Sequence, residues 1–164
     1  MLWSDWRAAI ALPALFSAAA CGFQPALLQD APAGAIEDAF EVEVEGDRQG
    51  FLLEELLMQR LGHSGSAEFR LNADITLRTT DAAVPGAGGV DRKLISGRVS
   101  FEIRAIDRPE ILYAGSATGS AEYSTSKSSL ASIASQRDAE ERMLAEVADR
   151  IYTQLILAAG EWTR

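Results

Sequence analysis

The chain predicts an α+β fold: a two-layer sandwich in which four strands form one mostly antiparallel sheet and two helices pack on one of its faces, in the order β-α-β-β-β-α. Three observations predict it. Four segments alternate apolar and polar residues with period two, and two segments carry apolar residues at helical spacing. The number and placement of the helices are wrong for a doubly wound parallel sheet. Nearly half of the 164 residues are apolar, which supports one sizeable core and excludes wholesale disorder.

The N-terminus comes before any element of that sandwich. Residues 1–20, MLWSDWRAAIALPALFSAAA, carry Arg7 and then an uncharged stretch from Ala8 to Ala20. This is the pattern of a signal peptide. It is shorter than the about 20 apolar residues a spanning helix needs, and Pro13 interrupts it as a helix of a folded core. Ala18, Ala19 and Ala20 suit a peptidase cleft, and Cys21, the single cysteine, follows at once. A lone thiol in an oxidising compartment has no partner to pair with, which counts against an ordinary export signal followed by a free cysteine. The stretch resembles the lipobox of bacterial lipoproteins, with Ala18 where that pattern usually has leucine. The resemblance implies that Cys21 is acylated and opens the mature chain. At about 0.8 kcal/mol per buried methylene, several acyl chains hold a protein on a membrane with negligible release. Gly22 stands where the lipoprotein sorting rule would put aspartate for inner-membrane retention, so the resemblance implies the periplasmic side of the outer membrane.

Residues 22–38, GFQPALLQDAPAGAIED, follow neither period and hold Pro25, Pro32 and Gly34. They read as a tether with an average span of about 20–25 Å, leaving residues 39–164 as one domain.

The elements follow in order. AFEVEVE alternates Phe40, Val42 and Val44 with Glu41, Glu43 and Glu45. FLLEELLMQRLG places Leu53, Leu56, Leu57 and Leu61 on one helical stripe, with Gly62 as its stop. FRLNADITL puts Phe69, Leu71, Ala73, Ile75 and Leu77 on one face and Arg70, Asn72, Asp74, Thr76 and Arg78 on the other. GRVSFEIRA repeats this with Val99, Phe101, Ile103 and Ala105 against Arg98, Ser100, Glu102 and Arg104. ILYAGSATGSAEYS sets Ile111, Tyr113, Ala117, Ala121 and Tyr123 on the apolar face. Because cross-strand neighbours share a face, odd apolar positions on both sides of Asp107-Arg108-Pro109-Glu110 require an odd loop of three or five residues. The last helix opens at Ser135 and Asp138 in a capping-box-like arrangement and carries the stripe Leu144, Val147, Ala148, Ile151 and Leu155. The preceding STSKSSLASIAS reads as a loop.

Cys21-Gly22-Phe23-Gln24-Pro25 resembles the CGF-x-P start of the mature LptE family, the lipopolysaccharide-assembly lipoproteins. The order of strand, helix, long meander and C-terminal helix agrees over essentially the whole mature chain, as do Asp138-Ala139-Glu140 and Gln154-Leu155. Ala26, Leu27 and Leu28 stand where the family often continues with Leu-Tyr. The resemblance implies a protein that sits in the lumen of an LptD-like outer-membrane β-barrel, assists its assembly and binds lipopolysaccharide in transit. On that reading, the polar sheet face bearing Arg70 and Arg78 suits a polar barrel interior. The segment TDAAVPGAGGVDRK ends in Arg92-Lys93, with Arg98 nearby, and these three are the candidates for lipid phosphate; Lys127 is a weaker one. Trp162 reads as packing or tail. The competing assignment is an auxiliary lipoprotein of a periplasmic lipid-transport ABC system, which would also pair a lipobox with a small α/β domain.

Charge and motif content bound the alternatives. A net charge of −9 opposes sequence-independent nucleic-acid binding, which rests on neutralising phosphates. The single histidine, His63, lies in a Leu-Gly-His-Ser-Gly helix stop and turn rather than beside a nucleophile. With no nucleophile motif, Gly-rich phosphate loop or metal-ligand spacing, the chain is not expected to be an enzyme or to hold a cofactor or metal.

Overall fold

A computed structural model of the chain describes residues 36, 38–63, 65–82 and 92–162. The stretch read as a signal peptide, Cys21, nearly all of the segment read as a tether and the Gly/Pro-rich segment 83–91 lie outside the described residues. Strand β1 spans Phe40–Glu45, helix α1 Arg48–Leu61, β2 Phe69–Ala82, β3 Arg92–Ala105, β4 Ile111–Ser124 and helix α2 Ser129–Trp162. The strands lie side by side in sequence order. β1 pairs parallel with β2, whereas β2–β3 and β3–β4 are antiparallel. The sheet is therefore mixed, with two of its three pairings antiparallel. The parallel pairing follows from α1, which carries the chain back across the sheet between β1 and β2.

The odd-numbered residues of β2, β3 and β4, together with the even-numbered residues of β1, face the helices. Val42, Leu71, Ile103 and Tyr113 form one such row and Ile75, Val99 and Ala117 another. Against them α1 buries Leu53, Leu57 and Leu61, while α2 buries Leu144, Val147, Ala148, Ile151 and Leu155, as the helical spacings require. Burying a side chain of this size contributes about 1.5–3 kcal/mol, so these stripes hold the two layers together. Gly62 ends α1 at φ +86° and ψ 178°, a conformation closed to residues with a β-carbon, and its N–H donates to Met58 O at 2.9 Å. Gly119 has a different reason to lack a side chain: a β-carbon there would lie 2.9 Å from the Met143 carbonyl oxygen. Its absence lets α2 settle directly on β4.

Four sequence expectations are corrected. First, β2 and β3 run further than their clean alternation, to Ala82 and back to Arg92, because Thr79 pairs with Ile95, Thr80 with Leu94 and Asp81 with Lys93. Arg92 and Lys93 are thus sheet residues rather than the end of a loop. Second, α2 begins at Ser129 and not at Ser135. Ser128 caps it, its Oγ accepting from Ala131 N–H at 3.4 Å, and Ser132 Oγ accepts from Ser126 N–H at 2.9 Å. More than half of the serine-rich segment, from Ser129 on, is helix. Third, the β3–β4 connection has the expected odd length, residues 106–110, but a bulge at Ile103/Arg104 pairs Arg104 with Ile111. Ile111 is thereby turned off the apolar face and left half exposed. Fourth, Ile36 is fully buried and Asp38 N–H donates to Leu61 O at 2.8 Å, so packing reaches back into the segment read as tether.

The two edges of the sheet differ. Along β4, side chains of α2 at four-residue spacing reach its outward backbone groups. Arg142 donates to Glu122 O, Arg150 to Thr118 O and Gln154 to Ser116 O, while Glu146 accepts from Ser120 N–H. This ladder occupies polar groups that an edge strand otherwise leaves open. A buried polar cluster joins the helices at their other side: Glu140 accepts from Arg48, Gln49 and Gln136. No described helix is long and apolar enough to cross a membrane.

Candidate functional site

The even-numbered residues of β2, β3 and β4, together with Glu41, Glu43 and Glu45 of β1, face away from the helices and form an open polar surface. Register places Thr76 opposite Arg98 and Thr118, and Arg78 opposite Ser96 and Ser120. Arg78 and Arg98 are thus diagonal neighbours on adjacent strands, with β-carbons about 7–8 Å apart by strand geometry. They line a concavity of about 520 Å³ with those hydroxyls, Gly97, Gly119 and, from α2, Glu146 and Arg150. Arg98 Nη1 lies 3.4 Å from Ser116 Oγ, and no described carboxylate pairs with either Arg78 or Arg98. Arg150 is already engaged, with Glu146 at 2.6 Å and with Thr118 O. In a chain of net charge −9, two neighbouring guanidiniums without counter-ions, ringed by hydroxyl donors, are equipped to hold an oxyanion such as a phosphate.

The remaining sequence candidates fall elsewhere. Arg92 and Lys93 lie on opposite sides of the sheet, as successive strand residues do. Lys93 lies 3.1 Å from Asp81, and Arg92 3.9 Å from Glu122. Arg98 lies further along β3, with Arg78 as its diagonal neighbour. Arg70 and Arg78 share a face but stand about 27 Å apart along β2 by the strand rise. Arg70 is engaged by Glu41, with Oε2 accepting from its Nε at 3.1 Å and Nη2 at 2.9 Å. That hydrogen bond, together with the Glu41 charge, holds the Arg70 pKa above its ordinary value. Directly opposite, Arg104 Nε lies 2.8 Å from Glu102, and this contact lowers the Glu102 pKa. Glu45, Asp74 and Glu102 line a second concavity of about 430 Å³ beside Asn72 and Ser100. The open face is therefore acidic toward β1 and basic around Arg78 and Arg98.

Arg150 is the site residue that sequence reasoning missed. Its signal was present in the four-residue spacing Arg142, Glu146, Arg150, Gln154, which puts all four on one helical stripe; only the packing shows that this stripe lies along β4. Lys127 and His63 are exposed, and among the described residues no three His, Cys, Asp or Glu side chains converge as metal ligands would.

Comparisons with known proteins agree with this architecture. A family model described as lipopolysaccharide-assembly, LptE, matches residues 38–155. No curated protein matches the sequence. Among solved structures, a lipoprotein from Caulobacter crescentus superposes with a TM-score of 0.63 at 22% identity, over 78% of this chain and 96% of that one. Rare lipoprotein B from Shewanella oneidensis gives a TM-score of 0.56 at 15% identity, over 76% and 98%. A minor lipoprotein from Acinetobacter baumannii gives 0.54 at 13%, over 72% and 91%. At these identities the likeness is one of fold.

Proposed function

The chain belongs to the LptE lipopolysaccharide-assembly family, a non-enzymatic one, and from that premise we propose that it works as an outer-membrane lipoprotein, anchored through Cys21 on the periplasmic side. In this reading the domain sits in the lumen of an LptD-like β-barrel, assists that barrel's assembly and binds lipopolysaccharide on its way to the cell surface. The acyl chains at Cys21 would hold the domain at the membrane, and the tether would let it reach the barrel. The polar sheet face, with its alternating charges around Arg70, has the chemistry of a surface that contacts a polar barrel wall.

The observation that carries the ligand assignment is the Arg78–Arg98 pair. The chain as a whole repels an anionic lipid, so binding requires a local concentration of positive charge. Arg92 and Lys93 pair with carboxylates, whereas the one carboxylate lining the concavity of Arg78 and Arg98, that of Glu146, is paired with Arg150. A charge-assisted contact contributes about 1.5–3 kcal/mol when desolvated and less when exposed. Replacing Arg78 and Arg98 together by glutamate is therefore expected to weaken lipopolysaccharide binding at least tenfold at fixed salt, with barrel co-purification retained. The Arg92→Glu, Lys93→Glu double variant should lose less. The reverse ranking would move the phosphate site to the β2–β3 end. Equal, small losses from both would remove lipid binding from this face altogether.

A further inference from the structure

We propose that the open edge of β1 is a strand-addition site for an extended partner segment in which basic and apolar side chains alternate. The contrast between the two edges carries it. The β4 edge is occupied by the side chains of α2. On β1, Ala39 O accepts from Glu68 and Phe69 N–H, so the alternation of backbone groups turns those of Glu41, Glu43 and Glu45 toward β2 and those of Val42 outward. Among the described residues, no hydrogen bond reaches Val42 from that outward side. Gly50 of α1 lies close to the Val44 carbonyl, so the open stretch centres on Val42 and suits a short strand.

Charge identifies the occupant. Glu41, Glu43 and Glu45 stand in a row on the exposed face, and among the described residues only Glu41 forms an ion pair, with Arg70, which also feels the charge of Glu43. A strand laid beside β1 would set every second side chain next to Glu43 and Glu45, where Lys or Arg is favoured, and the intervening ones beside the apolar layer under Phe40, Val42 and Val44. A second copy of this chain would meet acid with acid. The chain's own residues 22–35 are equally unsuited, since they contain no Lys or Arg and hold Pro25 and Pro32.

The test uses the full chain in detergent and a capped ten-residue peptide alternating lysine with valine or threonine. Binding is followed by fluorescence anisotropy and mapped by backbone amide shifts. The parent peptide should bind and shift β1 amides. Methylating the peptide's backbone nitrogens along one edge, which keeps the charge but removes the donors, should weaken it at least tenfold. Glu43→Lys with Glu45→Lys should do the same without touching the core. Val42→Pro should also abolish binding while leaving the β1–β2 bonds in place; if that variant fails to fold, the other two comparisons still decide. Equal affinity for methylated and parent peptides would show charge attraction alone and overturn the proposal. So would shifts confined to β4, self-association in place of peptide binding, or no binding at all.

Discussion

Glu102 and Arg104 show how much one side-chain contact can do on an exposed sheet face. They lie two residues apart on β3 and so on the same side, with Arg104 Nε 2.8 Å from the carboxylate and Asn72 adding a further hydrogen bond. Both contacts favour the charged carboxylate, which puts the Glu102 pKa below its ordinary value. The sign of the linkage follows. The pair's contribution to stability is complete above the ordinary glutamate range and is lost as pH falls through the lowered value. An NMR titration should find the Glu102 midpoint below that of an unpaired glutamate, and Arg104→Gln should raise it. An unchanged midpoint in that variant would show that Arg104 is not the cause. That these two share a face was legible in the sequence. That Arg92 and Lys93 are answered by Glu122 and Asp81 was not, because those partners depend on the length to which β2 and β3 extend.

α2 is the element on which the sequence was both most and least informative. Its stripe from Leu144 to Leu155 is continuous and every member is fully buried, because a long amphipathic segment has one dominant period. Its start was hidden, since residues 129–138 include no buried side chain and so leave no periodic trace; the Ser128 cap acts through one local hydrogen bond. At 34 residues the helix is about 51 Å long, enough to follow β4 from end to end. Gly119 sets how closely it does so. Gly119→Ala is expected to cost about 1–3 kcal/mol, because the new methyl meets the Met143 carbonyl oxygen, which is fixed in the helix backbone, as well as Val147 Cγ2. Chemical denaturation measures this. A cost near zero would mean that α2 shifts on β4 without penalty.

Across the whole molecule, the core closes over a residue that lies ahead of the first strand. Ile36 is fully buried, and Asp38 N–H ties the same segment to the end of α1. A chain beginning at Ala35 is expected to unfold cooperatively. One beginning at Ala39 should be less stable by about 2–4 kcal/mol, from the burial of one isoleucine and one hydrogen bond. Matching denaturation midpoints would show that Ile36 contributes nothing. The boundary was invisible in the sequence because Ile36 is a single apolar residue among Pro, Gly and Ala, with no period to mark it. The layered architecture was legible because alternation and helical spacing are set by the backbone itself. The grouping of Arg78 with Arg98 was not, since it depends on strand register rather than on distance along the chain.

The side-chain ladder along β4 also limits how this protein can fail. Fibres that grow by stacking sheets edge to edge need every unit to offer two accessible edges, one to receive a neighbour and one to pass the pattern on. Here Arg142, Glu146, Arg150 and Gln154 hold one of them shut. A copy that did join through β1 would leave no edge for a third, and growth would stop at a pair.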